Sequence, residues 1–153
     1  LAMDEESVTL QFDGVASCEL LRVSDALATV EEMAAGRGGV QPAPFDIVFL
    51  DADKTRLLDY TNAFLSGDRV LKKGGLIVVD NVLWKGLVLE ASSGDFKSLQ
   101  GSEDAAEAEL RKSRRARKLA NKMHRFNSAV VQDDRAEVLV LPVRDGLSVI
   151  RKK

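Results

Sequence analysis

Two apolar runs in this chain stop on acidic side chains, and that repetition constrains the fold more than any other feature. The first, Ile47-Val48-Phe49-Leu50, lies inside FDIVFLDADK and meets Asp51, Asp53 and Lys54 where it ends. The second, Leu76-Ile77-Val78-Val79, follows a glycine stop at Gly74-Gly75 and meets Asp80-Asn81. Unbroken apolar runs of this length suit strands covered on both faces of a parallel sheet. Between them Leu57, Leu58, Thr61, Phe64 and Leu65 fall on one stripe of a helix. A strand-helix-strand crossover is right-handed and sets both strand ends on one edge of the sheet, so Asp51, Asp80 and Asn81 are expected to converge. In an open α/β sheet that edge is the ligand crevice.

The rest of the chain supplies flanking elements. Residues 1–15 mix Val8, Leu10, Phe12 and Val15 with acidic residues and fit neither period. Residues 17–23 read as a strand, followed by a helix capped by Ser24 or Asp25 that runs through Leu27, Val30 and Met33. The glycines and prolines of residues 36–44 make a loop. After Asn81 comes a loop with one large aromatic, Trp84, then a small and polar insertion from about Glu90 to Ser102 that is expected to lie mobile over the site. A long helix runs from Glu103 to about Gln132, with acidic residues in its first turns and Leu119, Met123, Phe126 and Val130 as its apolar stripe. The chain closes with a hairpin, residues 137–142 and 147–150, around Arg144-Asp145-Gly146.

With 153 residues, 45% of them hydrophobic, the chain is sized for one α/β domain with a real core. A net charge of −2 gives no bulk attraction to nucleic acid or to an anionic membrane. Cys18 is the single cysteine, which excludes an internal disulfide and a thiolate cage and fits a reducing, cytoplasmic setting. Arg111, Lys112, Arg114, Arg115, Arg117 and Lys118 form a basic run, but it follows an acidic stretch on the same helix and lacks interleaved aromatics. It reads as a solvated helix face. His124 is given no catalytic role.

Two aspartates and an asparagine, with no histidine or cysteine beside them, offer hard oxygen ligands suited to magnesium, calcium or manganese rather than zinc or copper. Such an ion with open positions holds a substrate hydroxyl and lowers its pKa, and Lys54 can then take the proton. The same residues have plainer uses. Asp51 and Asp53 suit helix caps, Lys54 a solvated first turn, and Trp84 the core. The Asp80-Asn81 pair ending the neighbouring strand favours the ion-binding use.

The runs FDIVFLDADK, GGLIVVDNVLWKG and LPVRDGLSVIRKK, in that order, resemble the cation-dependent O-methyltransferases typified by caffeoyl-coenzyme A and catechol O-methyltransferases. The resemblance covers roughly residues 17–88 and 115–153. It implies a Rossmann-like methyltransferase sheet, mostly parallel with a C-terminal antiparallel hairpin. It also implies a methyl transfer from S-adenosylmethionine to a hydroxyl of a catechol-like or caffeoyl-like aromatic acceptor. Carried over residue by residue, Asp51, Asp80 and Asn81 bind the divalent metal, Mg²⁺ or else Ca²⁺ or Mn²⁺, and Lys54 is the base. Asp25 and Ala26 lie near the adenine, Asp51, Ala52 and Asp53 flank the cofactor, and Trp84 walls the acceptor pocket beside Lys54. The partner implied is a small aromatic molecule; a homodimer is compatible with the resemblance, and neither nucleic acid nor membrane is expected.

This sequence departs from the pattern in two places. No strand with a glycine-rich turn precedes Ser17, so residues 1–153 are expected to be the C-terminal part of a longer methyltransferase or a truncated product. In that case the apolar edge of the strand carrying Asp51 is left unpaired. Leu57 stands where the family usually has tyrosine, leaving Tyr60 as the tyrosine nearest the site. A competing reading is an inactive remnant kept as a binding or dimerisation module. A nucleotide-dependent oxidoreductase is disfavoured by the lack of a dinucleotide fingerprint.

Overall fold

A computed structural model describes residues 24–37, 44–93 and 103–153, the side chains of residues 93 and 103–113 excepted. The strand read at residues 17–23 and the ambiguous stretch before it lie outside the described residues. In chain order the elements are α1 (Ala26–Ala34), β1 (Phe45–Leu50), α2 (Leu57–Leu65), β2 (Leu71–Asp80), a single 3-10 turn (Trp84–Gly86), α3 (Leu87–Ser93), α4 (Glu103–Val131), β3 (Ala136–Leu141) and β4 (Leu147–Lys152). The four strands form one sheet in the order β1-β2-β4-β3. β1 and β2 are parallel, as the crossover through α2 requires, while β4 is antiparallel to both β2 and β3. Among the described residues the parallel part of the sheet is therefore the β1–β2 pair.

Most elements begin and end where local chemistry dictates. Asp25 caps α1, its Oδ1 accepting from the Ala28 N–H at 3.0 Å. β2, expected to start after Gly74-Gly75, instead begins at Leu71 and carries the glycines inside it. Phe45 pairs with Leu71 and Ile47 with Leu76, so two steps along β1 are matched by five along β2. Gly74, at φ +79, and Gly75, where a Cβ would lie 2.7 Å from Leu71 Cδ1, accommodate that bulge. The insertion after Trp84 is also more ordered at its start than expected, because Leu87–Ser93 forms α3.

Packing places helices on one side of the sheet. Leu27 of α1, Leu57 and Phe64 of α2, and Met123, Phe126 and Val130 of α4 share one core with Leu50, Ile77, Val79 and Ile150. Each such side chain contributes about 1.5–3 kcal/mol by leaving water. The expectation that β1 is covered on both faces is corrected here. Phe45, Ile47 and Phe49 are exposed, the last two by 61% and 62%, while Val48 and Leu50 turn to the core. The pairing register extends this bare face across the sheet, since Phe49 lies beside Val78, Val78 beside Val149 and Val149 beside Leu139. An apolar run in a sequence fixes the strand but not which of its faces finds a partner.

One charged side chain ties the far end together. Lys152 is buried, and its ammonium donates to the carbonyls of Phe64 (3.1 Å), Leu71 (2.9 Å) and Gly67. These carbonyls lie at the exit of α2 and the entry of β2, so the last strand holds the crossover shut from behind.

Candidate active site

The carboxyl ends of β1 and β2 lie side by side because Leu50 pairs with Val79. Asp51 and Asp80 follow directly. Between them stands Lys54, whose Nζ donates to Asp51 Oδ1 at 2.5 Å and to the Asp80 carbonyl at 3.3 Å. The Lys54 side chain is 13% exposed against 55% for Asp51, so the cation is tucked behind a carboxylate that still meets solvent. The Asp80 carboxylate is itself fixed, with Oδ1 accepting from the Asn81 N–H at 2.6 Å. Of the expected convergence of Asp51, Asp80 and Asn81, the strand ends carrying the two aspartates do lie side by side, Lys54 links the Asp51 side chain to the backbone of Asp80, and Asn81 is next in the chain.

Asn81 opens a strained turn. Its φ is +64, and Trp84, Lys85 and Gly86 follow at +45, +55 and +79. For non-glycine residues each such conformation costs about 1–3 kcal/mol and persists only where surroundings enforce it. The enforcing contacts come from the β3–β4 turn. Val82 N–H donates to the Gly146 carbonyl (3.1 Å), Leu83 N–H to the Asp145 carbonyl (2.7 Å) and Lys85 N–H to Asp145 Oδ1 (3.2 Å). From α4, Asn127 Nδ2 donates to the Val82 carbonyl at 2.9 Å. Gly146 has φ +84, and a Cβ there would fall 2.5 Å from Leu83 Cγ, so this close approach needs glycine. Asn127 and Asp145 shape the site without being marked for it in the sequence: Asp145 stands in a hairpin turn within a run that carries the resemblance but no role of its own, and Asn127 belongs to no motif.

Beside Asp80 and Asn81 lies a cavity of about 620 Å³ lined by Phe49, Asp80, Asn81, Val143, Arg144, Asp145 and Leu147. Trp84 is not among these residues; it is half-buried and packs against the core. Tyr60 is likewise buried in the core, as is Leu57.

Asp25 and Asp53 are linked through Arg56, with Ala26 and Ala52 their neighbours in the chain. Arg56 reaches Asp25 at 3.7 Å, and its positive charge acts on both Asp25 and Asp53. The Ala28 N–H holds the Asp25 carboxyl below the usual aspartate range, and the Thr55 N–H does the same for Asp53, accepted at 2.9 Å. Asp53 therefore closes its own turn, while α2 starts at Leu57 behind Arg56 without a side-chain cap. Asp25 and Ala26 are exposed, and Ala52 is half-buried against the core.

The donor chemistry fits a hard divalent ion: two carboxylates and an amide at adjoining strand ends, one carboxylate already paired with a cation. No three His, Cys, Asp or Glu side chains among the described residues form a cage, so the remaining positions would fall to water or substrate oxygen. No helix among the described residues is long and apolar enough to cross a membrane.

Fold and site together define a class, the α/β proteins whose ligand crevice lies at the carboxyl ends of adjacent parallel strands. Residues 7–153 match the O-methyltransferase family, and the chain belongs to it. It is 32% identical over 132 residues to caffeoyl-CoA O-methyltransferase 2 of Zea mays, covering 86% of this chain and 42% of that protein. It is 31% identical over 144 residues to caffeoyl-CoA O-methyltransferase 1 of Eucalyptus globulus, covering 94% and 49%. Among solved structures it resembles the SAH-bound methyltransferase PaMTH1 of Podospora anserina, with a TM-score of 0.64 and 26% identity over 92% of this chain and 51% of that one. The chain thus spans about half the length of the relatives it matches.

Proposed function

We propose that this chain carries the metal- and acceptor-binding part of an S-adenosylmethionine- and divalent-metal-dependent O-methyltransferase that methylates a hydroxyl of a catechol-like or caffeoyl-like aromatic acceptor. The observation that carries the reading is the Lys54 amine set between the Asp51 carboxylate and the Asp80 carbonyl. Family membership and the names of the relatives support it.

Asp51, Asp80 and Asn81 are the residues that would hold the ion. When bound, the ion lowers the pKa of a neighbouring hydroxyl, and S-adenosylmethionine supplies the methyl group on a sulfonium sulfur. Lys54 Nζ, positioned by the Asp51 carboxylate and the Asp80 carbonyl, is the group that would take the acceptor's hydroxyl proton. The Asn81 N–H bond holds the Asp80 carboxylate in one orientation throughout. Phe49, Val143 and Leu147 offer apolar wall area to an aromatic ring beside those oxygens, and Asp25 and Asp53 would flank the cofactor. Holding two reactants in line supplies most of the acceleration.

The test is transfer of labelled methyl from S-adenosylmethionine to a catechol and to a caffeoyl-type acceptor, with and without Mg²⁺. Transfer should need the ion, and Lys54→Met should lower kcat by ~10²–10⁴-fold. Equal kcat in Lys54→Met would sink the assignment of the base. The bare apolar face of β1 favours a second reading, an inactive remnant serving as a binding or dimerisation module. Calorimetry separates the two, because the remnant binds neither S-adenosylmethionine nor Mg²⁺.

A further inference from the structure

The turn after β2 is gripped from two sides, and the second grip has no explanation in the hairpin that supplies the first. The β3–β4 turn satisfies the N–H groups of Val82, Leu83 and Lys85. The Val82 carbonyl, on a residue with no exposed surface, is taken instead by Asn127 from the middle of α4, 45 residues away in sequence. The amide's orientation is unambiguous, since reversing it would set two oxygens against each other at 2.9 Å. Its own Oδ1 is buried and accepts from no protein donor, so the side chain is committed to this single contact. With Val82 held at both its N–H and its carbonyl, its two backbone torsions are fixed. That in turn holds the peptide that follows Asn81, whose own φ is +64, and lets the Asn81 carbonyl accept from Trp84 N–H at 3.2 Å.

We infer that Asn127 is a positioning residue for the candidate cation site: by pinning the Val82 carbonyl it keeps Asn81 in the left-handed conformation that sets where its amide leaves the backbone beside Asp80. The inference rests on the reading of Asn81 as an ion ligand. It differs from a purely structural role in what it predicts for metal affinity.

The experiment is a Mn²⁺ titration followed by electron paramagnetic resonance, on wild type, Asn127→Leu, Asn127→Ala and Lys152→Met. The last variant loosens the fold from the far end of the sheet and controls for general destabilisation. Asn127→Leu and Asn127→Ala should bind Mn²⁺ ~10–100-fold more weakly, as loss of a ligand-orienting partner does, while Lys152→Met keeps the wild-type affinity. Wild-type affinity in both Asn127 variants, or an equal loss in Lys152→Met, overturns the proposal. Amide hydrogen exchange on the metal-free proteins provides the second readout. Leu83 and Lys85 should exchange at least about tenfold faster in the Asn127 variants, with the core strands unchanged. If wild type binds no Mn²⁺, the metal reading of the site fails. Exchange then still decides whether Asn127 holds the turn, and unchanged rates at Leu83 and Lys85 refute it.

Discussion

Replacing Lys152 by methionine keeps the shape of the side chain and removes its three donors. Two of the carbonyls it serves, those of Phe64 and Leu71, are in buried hydrogen bonds, and each would lose its partner in a place water reaches poorly. An acceptor orphaned in this way costs about 1–3 kcal/mol. The Gly67 carbonyl is on an exposed residue and can rehydrate, so it adds little. Against these losses stands the relief of no longer burying an ammonium, which leaves a net destabilisation of about 3 kcal/mol. A domain holding about 5–15 kcal/mol in total would feel that strongly. Urea unfolding followed by circular dichroism reads it directly: at a slope of about 1.5 kcal/mol per molar, the midpoint falls by about 2 M with the slope unchanged. The companion ion pair, Lys152 to Asp68 at 3.2 Å, involves a carboxylate that is 69% exposed, so Asp68→Asn should cost less than about 1 kcal/mol. A Lys152→Met midpoint shift as small as that of Asp68→Asn would refute the argument that the carbonyl contacts, rather than the surface pair, give this residue its weight.

Two further outcomes follow from local geometry. Gly146→Ala forces a side chain into φ +84 and against Leu83, and should destabilise the protein by about 1–3 kcal/mol in thermal unfolding; a loss under about 0.5 kcal/mol would mean that the turn relaxes freely. The guanidinium of Arg135, bonded to Asp133 at 2.6–3.2 Å, holds that carboxyl below its ordinary value of 3.8 against the opposing effect of burial. A lowered folded pKa means the contribution is present in full above the unfolded value and is lost as pH falls through the folded one. The urea midpoints of wild type and Asp133→Asn should therefore differ at neutral pH and draw together below pH 3.8, and a constant gap would contradict the assignment.

How far the sequence carried can be judged element by element. Strand ends marked by Asp51 and Asp80, the stripe of α2 and the closing hairpin were all legible, because each depends on residues near one another in the chain. The site was legible to the extent that it is local: Asp51 and Lys54 are three residues apart in the turn between β1 and α2, and the crossover brings Asp80 to them. What was not legible depends on distant partners. Nothing in the neighbourhood of Asn127 announces that its amide reaches Val82, and nothing around Trp84 tells whether it faces a cavity or the core. The early start of β2 was hidden because glycines that usually end a strand here let it bulge against β1.

The sheet's unclad side has its own consequence. Parallel sheets ordinarily carry helices front and back, whereas the described residues supply them on one side and leave a band from Phe49 to Leu139, exposed at its two ends and half-buried between, bounded by the Arg151–Glu137 pair. β1 is also the margin of the sheet, with its outer row of peptide groups unclaimed by any described strand. Among the described residues, the strand that delivers Asp51 is thus bare on one face and unpaired along one margin. Whatever layer comes to rest on it, from the same polypeptide or another, would stiffen the edge that carries the candidate site along with the scaffold.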